Sequence, residues 1–442
     1  MRTLFAVMRG ATRRFAAAAC VLLLAGCAYA LVNGASVDQG SLEKVEQGIQ
    51  RIRQLNFLRP VPVAVKDRDE AEKLMEADLM RDYTDNQLRV DGTAGSMVGL
   101  YPPGMDLKAE SLKLLRNQVA GFYDPRSKQM VLVKGGADLG FFGNTVELVA
   151  RRDIAGEMVL SHELTHALQD QHFDLERKLD RVKNNDDRAI ALKCLAEGDA
   201  TIAGYAYVAG RMDDGVADAL LSHLGDIAKT FASQAPETPE GISVPVIFQY
   251  SDGVRMVAEA YRRGGWSAVD AMYAKPPLST HQVIHSADYF DHFTPPVNVE
   301  VRGYERVMGS WTKIDDDTYG ELLLRTILER NLGRKAPEVA VAQRWAGDQM
   351  VILQSGREVS VIWLLVFSDE TSAAGFAGAY AKVIERNPPT IGRSIENRGR
   401  AVLVMLGASA ASKQIAESIW AESRIGDGAA ISVPTERGSL SR

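Results

Sequence analysis

The sequence predicts an α+β protein: a mainly helical domain over residues 41–295 with a β-hairpin or small sheet ahead of its central helix, then a smaller α+β domain over 296–425. Three observations predict it. Apolar residues recur at helical spacing through the first stretch. Two short runs of strand type, separated by turn residues, interrupt that spacing. Beyond Pro295-Pro296, strand-like and helix-like runs alternate, as an α+β unit requires.

Taken in order, Ser41 to Leu58 reads as a charged helix with a periodic apolar face. Val61 to Val65 reads as a short strand leading into a helix from Asp67 to Tyr83. Gln118 to Tyr123 and Gln129 to Val133 are strand-like and flank Asp124-Pro125-Arg126-Ser127, good turn chemistry, so they predict a hairpin. A helix follows from Ile154 through Leu168, and a second, rich in small and apolar residues, runs from Arg188 to Tyr205. Gly264-Gly265-Trp266 precede a short helix from Ala268 to Tyr273. In the last unit the expectations are a helix from Tyr319 to Asn331, a turn at Trp345-Ala346-Gly347-Asp348 and strands at Gln349–Leu353 and Val359–Phe367. A helix from Glu370 to Arg386, a strand from Arg400 to Leu406 and a helix from Ala411 to Trp420 complete it, with Trp363 in the core.

The chemistry concentrates in Val159-Leu160-Ser161-His162-Glu163-Leu164-Thr165-His166-Ala167-Leu168. Residues four apart share a helix face, so His162 and His166 can present nitrogens to one Zn²⁺ while Glu163, one step round, reaches a water beside it. A hydrolytic zinc centre takes three protein ligands and keeps a position for water. Glu197, in the apolar segment Cys194-Leu195-Ala196-Glu197-Gly198-Asp199-Ala200, is the expected third ligand, because an acidic group amid Ala, Leu and Gly is costly to bury without a cation. Asp199 is then expected to orient a ligand histidine from behind. His172, six residues after His166, is the rival third ligand. The pattern that would use it needs a helix-breaking Gly where this chain has Gln169, a good helix former. Asp170 is expected behind the ligands or facing solvent, and Cys194 in the core.

His162-Glu163-x-x-His166 followed by Glu197 on a later helix resembles the gluzincin, or thermolysin-like, zinc metallopeptidases over roughly residues 118–210. The segments His162 to Gln171 and Glu197 to Ala200 are also similar to those of certain bacterial lipoproteins. The gluzincin resemblance implies a zincin-like fold, Zn²⁺ as cofactor, a peptide or protein substrate, and Glu163 as general base. It makes residues 183–187 an insertion. It also implies a His or Tyr from a downstream segment to stabilise the oxyanion, for which His285 and His281 are the first candidates and Tyr123 and Tyr250 the weaker ones. An edge strand of the hairpin would pair with extended substrate. The alternative function is a non-catalytic metal-binding or scaffold lipoprotein. A Glu beside the ligands but not among them favours the enzyme.

Arg2, Arg9, Arg13 and Arg14 precede the short apolar run Phe15 to Leu24, which ends in Leu24-Ala25-Gly26-Cys27. This pattern predicts a lipoprotein signal over residues 1–26, cleavage before Cys27, lipid on Cys27, a linker over 27–40, and anchoring in the cell envelope at the outer membrane. Of the three cysteines, Cys20 leaves with the signal and Cys27 carries lipid, so Cys194 has no partner for a disulfide. Loss of the four signal arginines takes the formal net charge from −6 to −10, which excludes nucleic acid as an expected partner. Residues 426–442 lack periodicity and are expected to be disordered.

Overall fold

The structure, a computed structural model, describes residues 32–33, 36–118, 121–134, 154–182, 184–234, 237–386, 392–411 and 413–426. The predicted signal, Cys27 and nearly all of the predicted tail lie outside them.

A two-residue ladder, β1 (Val32–Asn33) with β2 (Ser36–Val37), leads into α1 (Gln39–Arg53), whose N-cap Asp38 accepts from the Ser41 N–H at 2.8 Å. β3 (Val63–Lys66) is followed by α2 (Arg68–Asp82) and α3 (Asp85–Met97). Both helices open on capping boxes, Asp67 with Glu70 and Thr84 with Gln87. After α4 (Leu107–Gln118) come β4 (Gly121–Asp124) and β5 (Gln129–Val133), the predicted hairpin, in register Tyr123 to Met130. β3 joins β5 in parallel, so the sheet order is β3-β5-β4 and β4 is an edge.

The helical body consists of α5 (Ile154–Phe173), α6 (Leu175–Asp180), α7 (Asp186–Ala209), α8 (Asp214–Gln234) and α9 (Glu240–Ala274). The sequence suggested only the end of α9. Its helix already runs from Glu240, and Gly264 and Gly265 kink it, Gly265 at φ 63° and ψ −157°, a region suited to a residue without Cβ. Asp186 and Asp187, which the resemblance assigns to an insertion, form the first turn of α7, capped by Asn185. Two short helices follow, α10 (Thr280–Ile284) and α11 (Ala287–Phe290).

The last part contains β6 (Asn298–Glu300), β7 (Thr312–Asp317), α12 (Gly320–Leu332), β8 (Trp345–Ser355), β9 (Glu358–Phe367), α13 (Glu370–Glu385), β10 (Arg393–Arg398), β11 (Ala401–Leu406), α14 (Lys413–Glu422) and β12 (Arg424–Gly426). β12 pairs with β6, and the other five strands form an antiparallel sheet in the order β10-β11-β9-β8-β7. The turn expected at Trp345–Asp348 is instead the bulged start of β8, with the irregularity between Trp345 and Gly347. The reason is Asp348. Buried there, it accepts from both indole N–H groups, Trp345 and Trp363 (2.8 Å each), and from the backbone N–H of Tyr319 and Gly320, which fixes β8 against β9 and the start of α12.

The architecture is therefore α+β. Central strand β9 is buried on both faces. Ile362, Leu364 and Val366 pack with Ile415 and Ile419 of α14, while Val361, Trp363 and Leu365 join a core that also contains Leu164, Leu168 and Leu195 of α5 and α7. Residues on either side of position 296 thus bury apolar surface in common.

Between α3 and β7 lies a cavity of about 200 Å³ lined by Asp91, Asp186, Asp315 and Asp317 together with Tyr83 and Tyr101. Burial, reinforced by Asp315 and Asp186, pushes Asp91 from 3.8 up to about 7. A carboxyl raised on folding contributes stability below its unfolded pKa, and that contribution is lost as pH rises through the folded value. Asp91→Asn is therefore expected to match the wild type in urea unfolding near pH 4 and to exceed it above pH 7.

Candidate metal centre

Leu160, Leu164, Ala167 and Leu168 are fully buried along one side of α5, which turns His162, Glu163 and His166 toward α7 and β4. α7 is buried along most of its length and carries Glu197 to the same point. His162 Nε2 lies 3.2 Å from His166 Nε2 and 3.2 Å from Glu197 Oε2, and His166 Nε2 lies 3.5 Å from that oxygen. Ligands at zinc distances in a tetrahedron are separated by about 3.3 Å, so the three atoms have the spacing of one face of a zinc site. His166 Nδ1 donates to Gln169 Oε1 at 2.8 Å, which leaves the Nε2 lone pair for the shared point. The side chains are 16, 14 and 20 % exposed for His162, His166 and Glu197, so the cluster is open on one side. The residues fit zinc.

The electrostatics agree. Burial alone would lower His166, but the charge and hydrogen bond of Glu197, with the charge of Glu163, push it up to about 10. Glu197 is held well below the usual carboxylate range because the two imidazoles outweigh its burial. A point that holds a positive charge this firmly is suited to a divalent cation. Burial raises Glu163, against the opposing effect of both histidines.

Glu163 stands beside the triad, not within it. Its Oε2 accepts the Tyr123 N–H of edge strand β4 at 2.8 Å, so the hairpin fixes the carboxylate. On the other side is Tyr250 of α9, its ring stacked on His162 at 6.1 Å between centroids and its hydroxyl hydrogen-bonded to Glu197. This contact depends on two glycines. A Cβ on Gly198 would lie 2.4 Å from the Gly253 carbonyl oxygen, and one on Gly253 would lie 2.4 Å from that of Cys194. α7 and α9 therefore meet backbone to backbone, one helical turn from Tyr250.

Asp199 acts on His166 through an intermediate. Its Oδ2 accepts from Gln169 Nε2 at 3.1 Å, and Gln169 in turn holds His166. Asp199 also accepts from Tyr273 Oη at 2.8 Å and from Arg53 Nε and Nη2 at 2.8 and 3.2 Å. Arg53 is wholly buried, reaches Asp270 as well, and stacks on Trp266 at 4.5 Å.

The rival ligand stays outside the cluster, and three expectations need correction. His172 donates to the Asn56 carbonyl at 2.7 Å and is not part of the cluster. Asp170 is buried, but it accepts from Tyr123 Oη at 3.0 Å and Lys128 Nζ at 2.8 Å, so it fastens the hairpin to α5 and does not touch the ligands. His281 and His285 both turn to Glu321 of α12. Neighbouring Thr280 bonds Asp187, which precedes Glu197 by ten residues on α7, a rise of about 15 Å. Neither histidine therefore joins the triad. Sequence reasoning passed over Gln169 and Arg53. Gln169 carried a usable signal, since it stands three residues after His166 on the same helix face. Arg53 carried none, being one of several basic residues in α1.

A family model described as a domain of unknown function (DUF8575) matches residues 305–417, from before β7 into α14. No curated protein and no solved structure matches the chain.

Proposed function

We propose that the chain is a zinc-dependent peptidase of zincin-like, gluzincin type, acting as an endopeptidase. The observation that supports this reading best is the placement of Glu163, held by a backbone N–H beside three converging metal donors and free of ligand duty itself. His162, His166 and Glu197 would hold the zinc. When bound, zinc supplies a Lewis acid that acidifies water and polarises a carbonyl. Glu163 takes the proton from the attacking water and returns it to the leaving amine. Tyr250 Oη, whose single proton is directed at Glu197 in the metal-free site, would turn it to the oxygen on which negative charge develops once the cation takes up the charge of Glu197. β4, an edge, offers backbone groups to an extended peptide. The lipobox at Cys27 supports an envelope-anchored enzyme. Among the described residues no helix is long and apolar enough to cross a membrane.

The test is zinc content of the purified full-length chain together with cleavage of casein and a peptide library. Zinc with cleavage supports the peptidase; no zinc at this triad refutes it; zinc without cleavage favours the scaffold alternative. Tyr250→Phe is expected to keep its zinc and to lower kcat by about 10²-fold with little change in KM, the loss typical of one oxyanion donor. Steady-state kinetics beside metal analysis check it.

A further inference from the structure

The two histidines set aside from the first centre form a cluster of their own. His281 and His285 stand four residues apart on and just after α10, their ring centroids 4.4 Å apart. They face Glu321 in the first turn of α12, a carboxylate with no solvent exposure. His281 Nδ1 donates to Glu321 Oε2 at 2.5 Å, and His285 Nε2 lies 3.0 Å from Oε2 and 3.2 Å from Oε1. We propose that His281, His285 and Glu321 form a second divalent-metal site, separate from the first, that clamps α10 to α12.

Three further observations support it. The far nitrogen of His281, Nε2, lies 3.3 Å from Asp288 Oδ2, the backing by a carboxylate that ligand histidines characteristically have. Asp187, a second buried acidic group, interacts electrostatically with Glu321, so burial of acidic side chains is concentrated in this region. The two imidazoles are 20 and 33 % exposed, which leaves a route for an ion to a carboxylate that solvent does not otherwise reach. A set of two imidazole nitrogens and a carboxylate suits zinc and its late first-row neighbours over magnesium or calcium. On binding, zinc would take the place of the protons that His281 Nδ1 and His285 Nε2 direct at Glu321, those protons pass to solvent, and the 2.5 Å pair opens toward the about 3.3 Å separation of zinc ligands. The ion then joins the segment after α9 to the first turn of α12, and so to the sheet module.

The test uses the full-length chain and Zn²⁺ alone. Two equivalents are expected in the wild type, one in His162→Ala/His166→Ala, and none when Glu321→Gln is added to that background. In His162→Ala/His166→Ala, added Zn²⁺ is expected to raise Tm. One equivalent in the wild type and none in His162→Ala/His166→Ala overturns the second site and leaves the first intact. One equivalent that survives His162→Ala/His166→Ala and is lost with Glu321→Gln supports it while sinking the peptidase reading. If a variant fails to fold, Co²⁺ titration of the wild type decides: two successive visible spectra support a second site, and a single spectrum saturating at one equivalent overturns it.

Discussion

Glu163→Gln is expected to keep its zinc and to lose peptide cleavage by about 10³-fold, within the range for removing a general base. The two properties separate because Glu163 is not among the proposed donors: these are His162, His166 and Glu197, whose separations do not involve it. The amide is isosteric, and its oxygen still accepts the Tyr123 N–H that holds the carboxylate at 2.8 Å, so the geometry stays while the proton acceptor goes. Metal analysis and initial rates on one preparation check this. Activity within tenfold of wild type would remove Glu163 from the base role, whereas loss of metal would mean that it supports the ligands.

Arg53→Ala is expected to cost about 3–5 kcal/mol, because it leaves a buried carboxylate without its cation. Asp199 and Arg53 are both fully buried, and among the described residues no other cation bonds Asp199, so removing the guanidinium also takes away two of its hydrogen bonds. The stacking on Trp266 goes as well. Urea unfolding reads the loss. The same variant bears on the metal centre, since Arg53, Asp199, Gln169 and His166 form one chain of contacts. Loosening support behind a ligand typically costs 10- to 100-fold in metal affinity. A chelator competition that shows weakened zinc identifies Arg53 as a positioning residue; unchanged affinity would assign it to the scaffold alone.

Local elements were readable because their signals are local. The hairpin announced itself through Asp124-Pro125 between two apolar runs, and α5 and α7 through apolar residues at helical spacing, a signal that Gly198 at the centre of α7 does not obscure. The triad followed from i, i+4 spacing and one unexplained acid in an apolar helix. The first half of α9 escaped notice because Pro245 and the pair Gly264-Gly265 mimic loop punctuation. Tertiary partners were harder to read. Nothing in the spacing shows that Tyr250 lies against His162, that Gln169 stands between Asp199 and His166, or that Glu321 draws His281 and His285 away, because each depends on which helices touch.

The contact between Gly198 and Gly253 shows how the site keeps its dimensions. Where two helices meet through side chains, their spacing follows the rotamers between them and drifts as those residues change through evolution. Here main chain rests on main chain, leaving nothing to rearrange, so the distance from the Tyr250 hydroxyl to Glu197 is set by the least adjustable atoms in the protein. The surrounding core can then exchange one apolar residue for another without retuning the centre, whereas a single added methyl at either glycine would move it.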